Sequence, residues 1–449
     1  MNVHLIAVGG SAMHNMAIAL HEKGFKVTGS DDQIFEPSLS RLKKHGLLPE
    51  KEGWDTANIH ANLNAVILGM HAKKDNPELI KAQELGLPIF SYPEYVYEQS
   101  KNKTRVVIGG SHGKTSITSM VLHILIKSGK NPDYLVGAQL EGFDTMVKLT
   151  PDADIIVLEG DEYLSSPIDL TPKFHWYKPH IAVLSGIAWD HINVFPTFEN
   201  YVQQFEIFIQ KVEKGGKLFY YSGDKELQKL GAKYDFCSPY SAFPSEIIDN
   251  QTFLITPNGK VALQIFGAHN LQNLNAAYHI CNQLGISDAD FFTHISSFKG
   301  ASKRLEKIAE NTSSVAFKDF AHSPSKLKAT TQAVKSQFAK RKLVACMELH
   351  TFSSLNPAFL KEYDGAMNAA DEAIVFYSPK AVAHKKLPEL KQEDVYQAFN
   401  RKDLKVFTDT QELQSYLKQK NWQDTNLLIM TSGNFEGMNI DQFGKDLIH

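Results

Sequence analysis

A short apolar strand, Arg105–Ile108, runs into Gly109-Gly110-Ser111-His112-Gly113-Lys114-Thr115-Ser116 and then into a helical stretch. No other feature narrows the fold as far. A strand that turns through glycines directly into a helix belongs to a crossover unit, and crossovers build parallel sheets with helices on their faces. The same order opens the chain: Val3–Val8, then Gly9-Gly10, then a helical stretch to about Lys23, then a strand at Phe25–Gly29 leading to Ser30, Asp31 and Asp32. Further apolar runs stand at Ala65–Met70, Leu87–Phe90, Ile155–Leu158 and Ile181–Leu184. After about residue 300 they recur at Val315–Phe317, Leu343–Met347, Ala373–Tyr377, Lys405–Phe407 and Leu427–Met430, separated by helical stretches. The expected fold class is therefore α/β throughout, with sheets covered on both faces.

At about 150 residues per domain, 449 residues predict roughly three domains, with two the main alternative. The polar stretch Glu98–Lys103 and the segment Lys299–Ser302 mark the boundaries, giving 1–102, 103–299 and 300–449. Between about Gly215 and Phe266 the segments shorten and turn residues crowd in, which predicts a small antiparallel patch. Composition excludes several classes. Basic and acidic side chains number 47 and 50, so no cationic excess exists to neutralise a nucleic-acid backbone. Three cysteines, Cys237, Cys281 and Cys346, cannot build a disulfide framework or a four-cysteine zinc site. No apolar run approaches the ~20 residues that span a bilayer, and Met1–Leu20 lacks the basic start of a signal peptide. The expectation is a cytoplasmic protein without nucleic-acid or membrane partners, as a monomer or weak homodimer.

Five clusters could carry chemistry. In Gly110–Ser116, backbone amides and the helix N-terminus can cradle phosphate oxygens, Lys114 can reach the terminal phosphates, and the Thr115 hydroxyl can meet Mg²⁺. The usual P-loop has a further glycine where Ile108 stands. Glu159 closes the run Ile155–Leu158, the place where a carboxylate holds a nucleotide-bound metal; it suits that role better than Glu162, which already lies in the turn. Asp190-His191 follows the strand Ile181–Leu184, and His191 with Glu159 could complete a metal or substrate site. At the N-terminus, Gly9-Gly10 with Asp31 about 20 positions on resembles half a dinucleotide fingerprint, although the full glycine pattern is not met. In the last third, Asp319 and His322 follow a strand, and Ser323-Pro324 reads as the cap and first position of the next helix.

In this order the pieces resemble the Mur ligase family over essentially the whole chain. Gly110–Ser116 is similar to that family's shortened P-loop. Gly267-Ala268-His269-Asn270-Leu271-Gln272-Asn273, followed by Ala276-Ala277, is similar to its adenine-side motif. Lys303-Arg304-Leu305-Glu306 resembles the stretch that opens its third domain, and Asp319-Phe320-Ala321-His322 with Pro324 resembles a loop within it. The resemblance implies a Rossmann-like N-terminal domain that binds UDP-N-acetylmuramate, a P-loop-type central ATPase domain, and a Rossmann-like C-terminal domain that takes the incoming amine or peptide.

By the same resemblance, Gly9, Gly10, Ser11, Asp31 and His71 would face the UDP-sugar. Gly110, Ser111, His112, Gly113, Lys114, Thr115, Ser116, Asn270, Asn273, Arg304, Asp319 and His322 would face ATP. Thr115, Glu159 and His191 would hold Mg²⁺, and Lys114, Glu159 and His191 would be catalytic. The implied reaction phosphorylates a carboxylate with ATP and then lets an amine displace phosphate. Glu159-Gly160-Asp161-Glu162-Tyr163, Lys173-Phe174-His175-Trp176-Tyr177 with Pro179, and Thr431-Ser432-Gly433-Asn434-Phe435-Glu436-Gly437 lean towards the branch that adds an L-alanyl-γ-D-glutamyl-meso-diaminopimelate-type tripeptide. Glu348-Leu349-His350 stands where that branch reads Glu-Pro-Arg. The closest rival is the branch that adds L-alanine. A rival from another class is a non-catalytic nucleotide-binding protein on the same scaffold.

Overall fold

The computed structural model describes residues 1–138, 142–189, 194–301 and 304–448. It is an α/β protein of three domains, each built on its own parallel-dominated sheet. The first sheet holds β1 (Asn2–Ile6), β2 (Lys26–Ser30), β3 (Ala65–Leu68) and β4 (Ile89–Ser91) in the order β2-β1-β3-β4, all parallel. Its central strand β1 does not alternate apolar with polar. Both faces are covered, so Val3, His4, Leu5 and Ile6 are all fully buried.

The second sheet holds β5 (Thr104–Gly109), β6 (Asp133–Leu135), β7 (Val147–Lys148), β8 (Ile155–Glu159), β9 (Ile181–Leu184), β10 (Lys217–Tyr221) and β11 (Cys237–Tyr240). The order is β11-β10-β9-β5-β8-β6-β7, with only the short β7 antiparallel to its neighbour. β5 is thus central, and the register sets Ile108 beside Glu159 at the carboxyl ends of β5 and β8. The antiparallel patch expected between Gly215 and Phe266 is a meander of β12 (Ser245–Ile248), β13 (Gln251–Thr256) and β14 (Gly259–Ala262). It is smaller than the segment that predicted it. β10 and β11 are short and turn-bounded but join the parallel sheet, because Leu218, Phe219 and Tyr220 are needed in its core.

The third sheet holds β15 (Glu306–Glu310), β16 (Val315–Asp319), β17 (Lys342–Leu349), β18 (Glu372–Tyr377), β19 (Lys405–Phe407) and β20 (Thr425–Met430) in the order β15-β16-β20-β17-β18-β19. β15 is antiparallel and the rest are parallel. The helices that follow β16, β17 and β18 bury Leu327, Leu360 and Val395 in one core. Those that follow β19 and β20 bury Leu413, Leu417, Phe443 and Ile448 in the core of the opposite face. The chain therefore leaves the adjacent strands β17 and β20 towards opposite faces. That divergence opens a crevice at their carboxyl ends, the position where open α/β sheets bind ligands.

The chain divides into two compact units, Met1–Ser241 with Asn273–Ile295, and Ala242–Gln272 with Ser296–His449. The first unit contains the first two sheets on one continuous apolar core. The second contains the antiparallel meander and the third sheet, linked where the Thr252 hydroxyl donates to Gln337 Oε1 at 2.7 Å. Among the described residues no helix is long and apolar enough to cross a membrane.

Candidate active site

The turn after β5 folds as its glycines require. Gly110 and Gly113 have φ of 125° and 80°, the left-handed region that penalises a side chain. A Cβ on Gly110 would lie 2.3 Å from the Ser185 hydroxyl, and one on Gly113 would lie 2.4 Å from Asn273 Oδ1. Ser111 N–H donates to Gly186 O at 3.0 Å, and the Ser111 hydroxyl lies 3.0 Å from His112 Nδ1. The helix Lys114–Lys127 starts at once, with Thr115 and Ser116 buried in its first turn.

Lys114 Nζ donates to Gly110 O at 2.6 Å and to Glu162 Oε2 at 2.8 Å. Glu162 is buried, and its other oxygen accepts from the Tyr201 hydroxyl at 3.0 Å. Burial works against the Lys114 charge, but the carboxylates of Glu162, Asp161 and Glu159 more than offset it and hold the ammonium above the ordinary lysine range. Beside it, the Thr115 hydroxyl donates to Glu159 Oε1 and Gly137 N–H donates to Glu159 Oε2, both at 2.8 Å. Lys114, Thr115 and Glu159 are thus gathered at the carboxyl edge of the sheet. Sequence reasoning set Glu162 aside as a turn residue. The structure makes it the ionic partner of Lys114. Asp161 receives Lys173 Nζ at 2.7 Å, while Phe174 and Tyr177 of the same stretch are core residues. Asp190, His191 and Lys303 lie outside the described residues.

The N-terminal turn gathers its expected residues too. Gly9 N–H donates to Asp31 Oδ2 at 2.7 Å, and a Cβ on Gly9 would come within 2.9 Å of that oxygen. A Cβ on Gly10 would lie 3.6 Å from His71 Cδ2, and Ser11 begins the helix Ser11–Glu22. Burial, with help from Asp32 alongside, pushes the Asp31 carboxyl up to about 6.

In the second unit, Asn270 Nδ2 donates to Phe266 O at 2.9 Å. Asp319 ends β16, accepts Leu305 N–H at 2.5 Å, and is raised above the usual carboxylate range by burial even though Arg304 pulls the other way. The Arg304 guanidinium lies 5.1 Å over the Phe320 ring, and His322 Nδ1 is 2.9 Å from Phe320 O. Ser323 stands at the N-cap of the helix Pro324–Gln337 with extended backbone, but its hydroxyl makes no cap hydrogen bond. The expected capping thus rests on Pro324 alone.

The crevice between β17 and β20 holds a residue to which sequence reasoning gave no role. Glu348 is 2% exposed at the carboxyl end of β17. Its Oε2 accepts from the Thr431 hydroxyl and from Phe435 N–H at 3.1 Å. Its Oε1 faces His350 Nδ1 at 3.6 Å, beyond hydrogen-bond length. A Cβ on Gly433 would strike both His350 and Glu348, so only glycine lets the loop after β20 close here. The Ser432 hydroxyl in that loop is buried without a hydrogen-bond partner. The overlooked signal was an acid closing an apolar strand, the same pattern that marked Glu159.

Protein-family models match two stretches: the Mur ligase family catalytic domain over residues 2–104, and the Mur ligase middle domain over residues 108–281. A UDP-N-acetylmuramate–L-alanine ligase of Levilactobacillus brevis is 31% identical over 387 residues, which is 83% of this chain and 82% of that protein. Among solved structures, the UDP-N-acetylmuramate–alanine ligase of Thermotoga maritima has a TM-score of 0.70 at 20% identity, covering 100% of this chain and 98% of that one. A murein peptide ligase from Psychrobacter arcticus has a TM-score of 0.65 at 21% identity, with both chains covered in full. What those two structures share with this chain is the fold.

Proposed function

This chain belongs to the Mur ligase family, and on that premise we propose that it joins the carboxylate of UDP-N-acetylmuramate to the amino group of an L-alanyl-γ-D-glutamyl-meso-diaminopimelate-type peptide, in the cytoplasm. Family members are ATP-dependent amide ligases of peptidoglycan synthesis, so the chain is an enzyme and the non-catalytic reading falls. The observation that carries the reaction type is the set of Lys114, Thr115 and Glu159 at the carboxyl edge of β5 and β8.

The chemistry follows from those groups. A carboxylate resists amines because its departing oxygen is too basic. Transfer of the ATP γ-phosphate to it gives an acyl phosphate, and the amine then attacks the acyl carbon as phosphate leaves. The protein's part is positioning and charge stabilisation. Lys114 is held in its charged form and, with the N-terminal amides of the helix it opens, would meet the phosphates. For Mg²⁺ the donor set fits: a hydroxyl and a carboxylate, both hard oxygen donors, beside a phosphate cradle, with the remaining positions left to phosphates and water. Thr115 and Glu159 would hold one ion, and by the resemblance His191 would help hold a second. Bound there, Mg²⁺ would neutralise phosphate charge. Gly9, Gly10, Ser11, Asp31 and His71 would take the UDP moiety. Asn270, Asn273, Arg304, Asp319 and His322 would contribute to the nucleotide.

Two observations support a peptide amine. Glu348 Oε1 and the buried Ser432 hydroxyl would serve as acceptors for a second ammonium group, which alanine lacks, and Phe352, 52% exposed on the loop after β17, adds apolar surface that a single alanine does not need. The second reading is L-alanine as the amine, favoured by the name of the Levilactobacillus brevis relative. Phosphate release with ATP, Mg²⁺, UDP-N-acetylmuramate and either amine separates them. Stimulation by the tripeptide supports the first reading, and stimulation by L-alanine alone supports the second.

A further inference from the structure

One short hairpin in the first compact unit touches both glycine turns. Its arms are β6 and β7, paired at Tyr134 with Lys148 and Leu135 with Val147, and extended where Val136 N–H donates to Met146 O at 2.9 Å. At one end Gly137 N–H donates to Glu159 Oε2. A Cβ there would lie 2.7 Å from Glu159 Oε1, so a side chain is excluded by the carboxylate itself. At that same end, on the other arm, Met146 N–H donates to Asn15 Oδ1 at 2.9 Å, and the Ser11 hydroxyl approaches Met146 Sδ at 3.8 Å.

Asn15 is fully buried in the helix that follows Gly9-Gly10. Its Oδ1 also accepts from Arg41 at 3.3 Å, and its Nδ2 donates to Ser11 O at 2.8 Å and to His14 Nε2 at 2.9 Å. His14 in turn lies 2.9 Å from Gly10 O and 2.9 Å from the Ser38 hydroxyl. Burial lowers the His14 pKa, which fits a neutral ring that donates from Nδ1 and accepts at Nε2. The Asn15 carbonyl thus ties that helix to the hairpin, while its amide nitrogen braces the first turns of the helix itself.

We propose that Asn15 is a positioning residue that couples the two substrate sites of this unit, so that filling the nucleotide site tightens the UDP-sugar site and the reverse. The proposal rests on the assignment of the two turns given above. A displacement at Glu159 moves Gly137, the hairpin moves Met146, and Met146 moves Asn15 with the amides of the Gly9-Gly10 turn. Leaving any of these buried polar groups unpaired is costly, so the shift is transmitted rather than absorbed. Reciprocity follows from linkage.

Calorimetric titration of the full chain with UDP-N-acetylmuramate, with and without a non-hydrolysable ATP analogue and Mg²⁺, tests this. In the unmodified protein the analogue tightens UDP-N-acetylmuramate binding about 10-fold, within the usual range of such coupling. Asn15→Leu still binds each ligand alone, but the tightening disappears. Asn15→Asp keeps the acceptor for Met146 N–H and restores most of it. Equal tightening in Asn15→Leu, or none in the unmodified protein, overturns the coupling while the site assignment stands. Failure of the unmodified protein to bind either ligand overturns both. Should Asn15→Leu not fold, hydrogen exchange on the unmodified protein decides: UDP-N-acetylmuramate alone slows exchange at Gly137, and an unchanged rate refutes the proposal.

Discussion

Glu159 and Glu348 close core strands in different units, and the sequence presents them alike: four or more apolar residues, then an acid. Each is nearly buried, and each accepts one threonine hydroxyl and one backbone N–H. They differ in which oxygen does the accepting. Glu159 spends one bond on each oxygen, is flanked by a lysine and sits in a glycine cradle. Glu348 spends both bonds on Oε2 and turns Oε1 towards His350. On the function proposed above, the first would meet anionic phosphates balanced by a lysine, and the second a cationic group. Two identical side chains at the carboxyl ends of core strands thus stand in different electrostatic surroundings.

The sharpest way to break this comparison is to remove the cation that distinguishes the first site. Lys114→Ala should lower the rate of ATP-dependent phosphate release by about 10²–10³-fold, the scale for losing one preorganised charge stabiliser. A rate within a few-fold of the parent would remove the basis for treating the Glu159 site as the phosphate site. Glu159→Gln keeps the shape but can accept only one of the two hydrogen bonds, and it removes the negative charge that would hold Mg²⁺. Its turnover should fall about 10²-fold, with partial recovery at high Mg²⁺ in a titration of the metal.

Glu348→Gln should behave differently. The KM for the amine substrate should rise about 10-fold while those for ATP and UDP-N-acetylmuramate stay unchanged. If all three rise together, Glu348 holds the loop after β20 and nothing more.

The smallest effect concerns Asp31. Its folded-state pKa, about 6, lies above the usual 3.8 because burial disfavours the charge. Protonation therefore favours the folded state: the contribution is full below about pH 4 and is lost as pH rises through about 6. Asp31→Asn keeps an acceptor for Gly9 N–H without the charge. Relative to that variant, the parent should lose a few degrees of Tm, about 2–5 °C, between pH 5 and 7.5 in a calorimetric scan. Parallel Tm curves would show that Asp31 is not the titrating group.

Much of this was legible in the residues. Every strand of the third sheet from β16 to β20 coincides with an apolar run, because strands covered on both faces must be apolar almost throughout. The glycine turns announced themselves as well, since Gly110 and Gly113 occupy backbone that other residues avoid. What escaped was set by long-range partners. Lys114 pairs with Glu162, 48 positions away, and nothing local marks Glu162 over Asp161. β10 and β11 joined a parallel sheet that their turn-rich surroundings did not suggest. Asn15 reaches Met146, 131 positions on, a link that no local pattern carries.

The sequence by itself thus determined the α/β class, the two glycine turns and the acid Glu159 that closes its strand, because glycine conformations and buried-strand patterns are local physics. Only the tertiary structure decided which carboxylate faces which charge, and which asparagine ties one turn to the other. Those properties belong to the electrostatic and hydrogen-bonding surroundings of a side chain, and the surroundings are assembled from residues far apart in the chain.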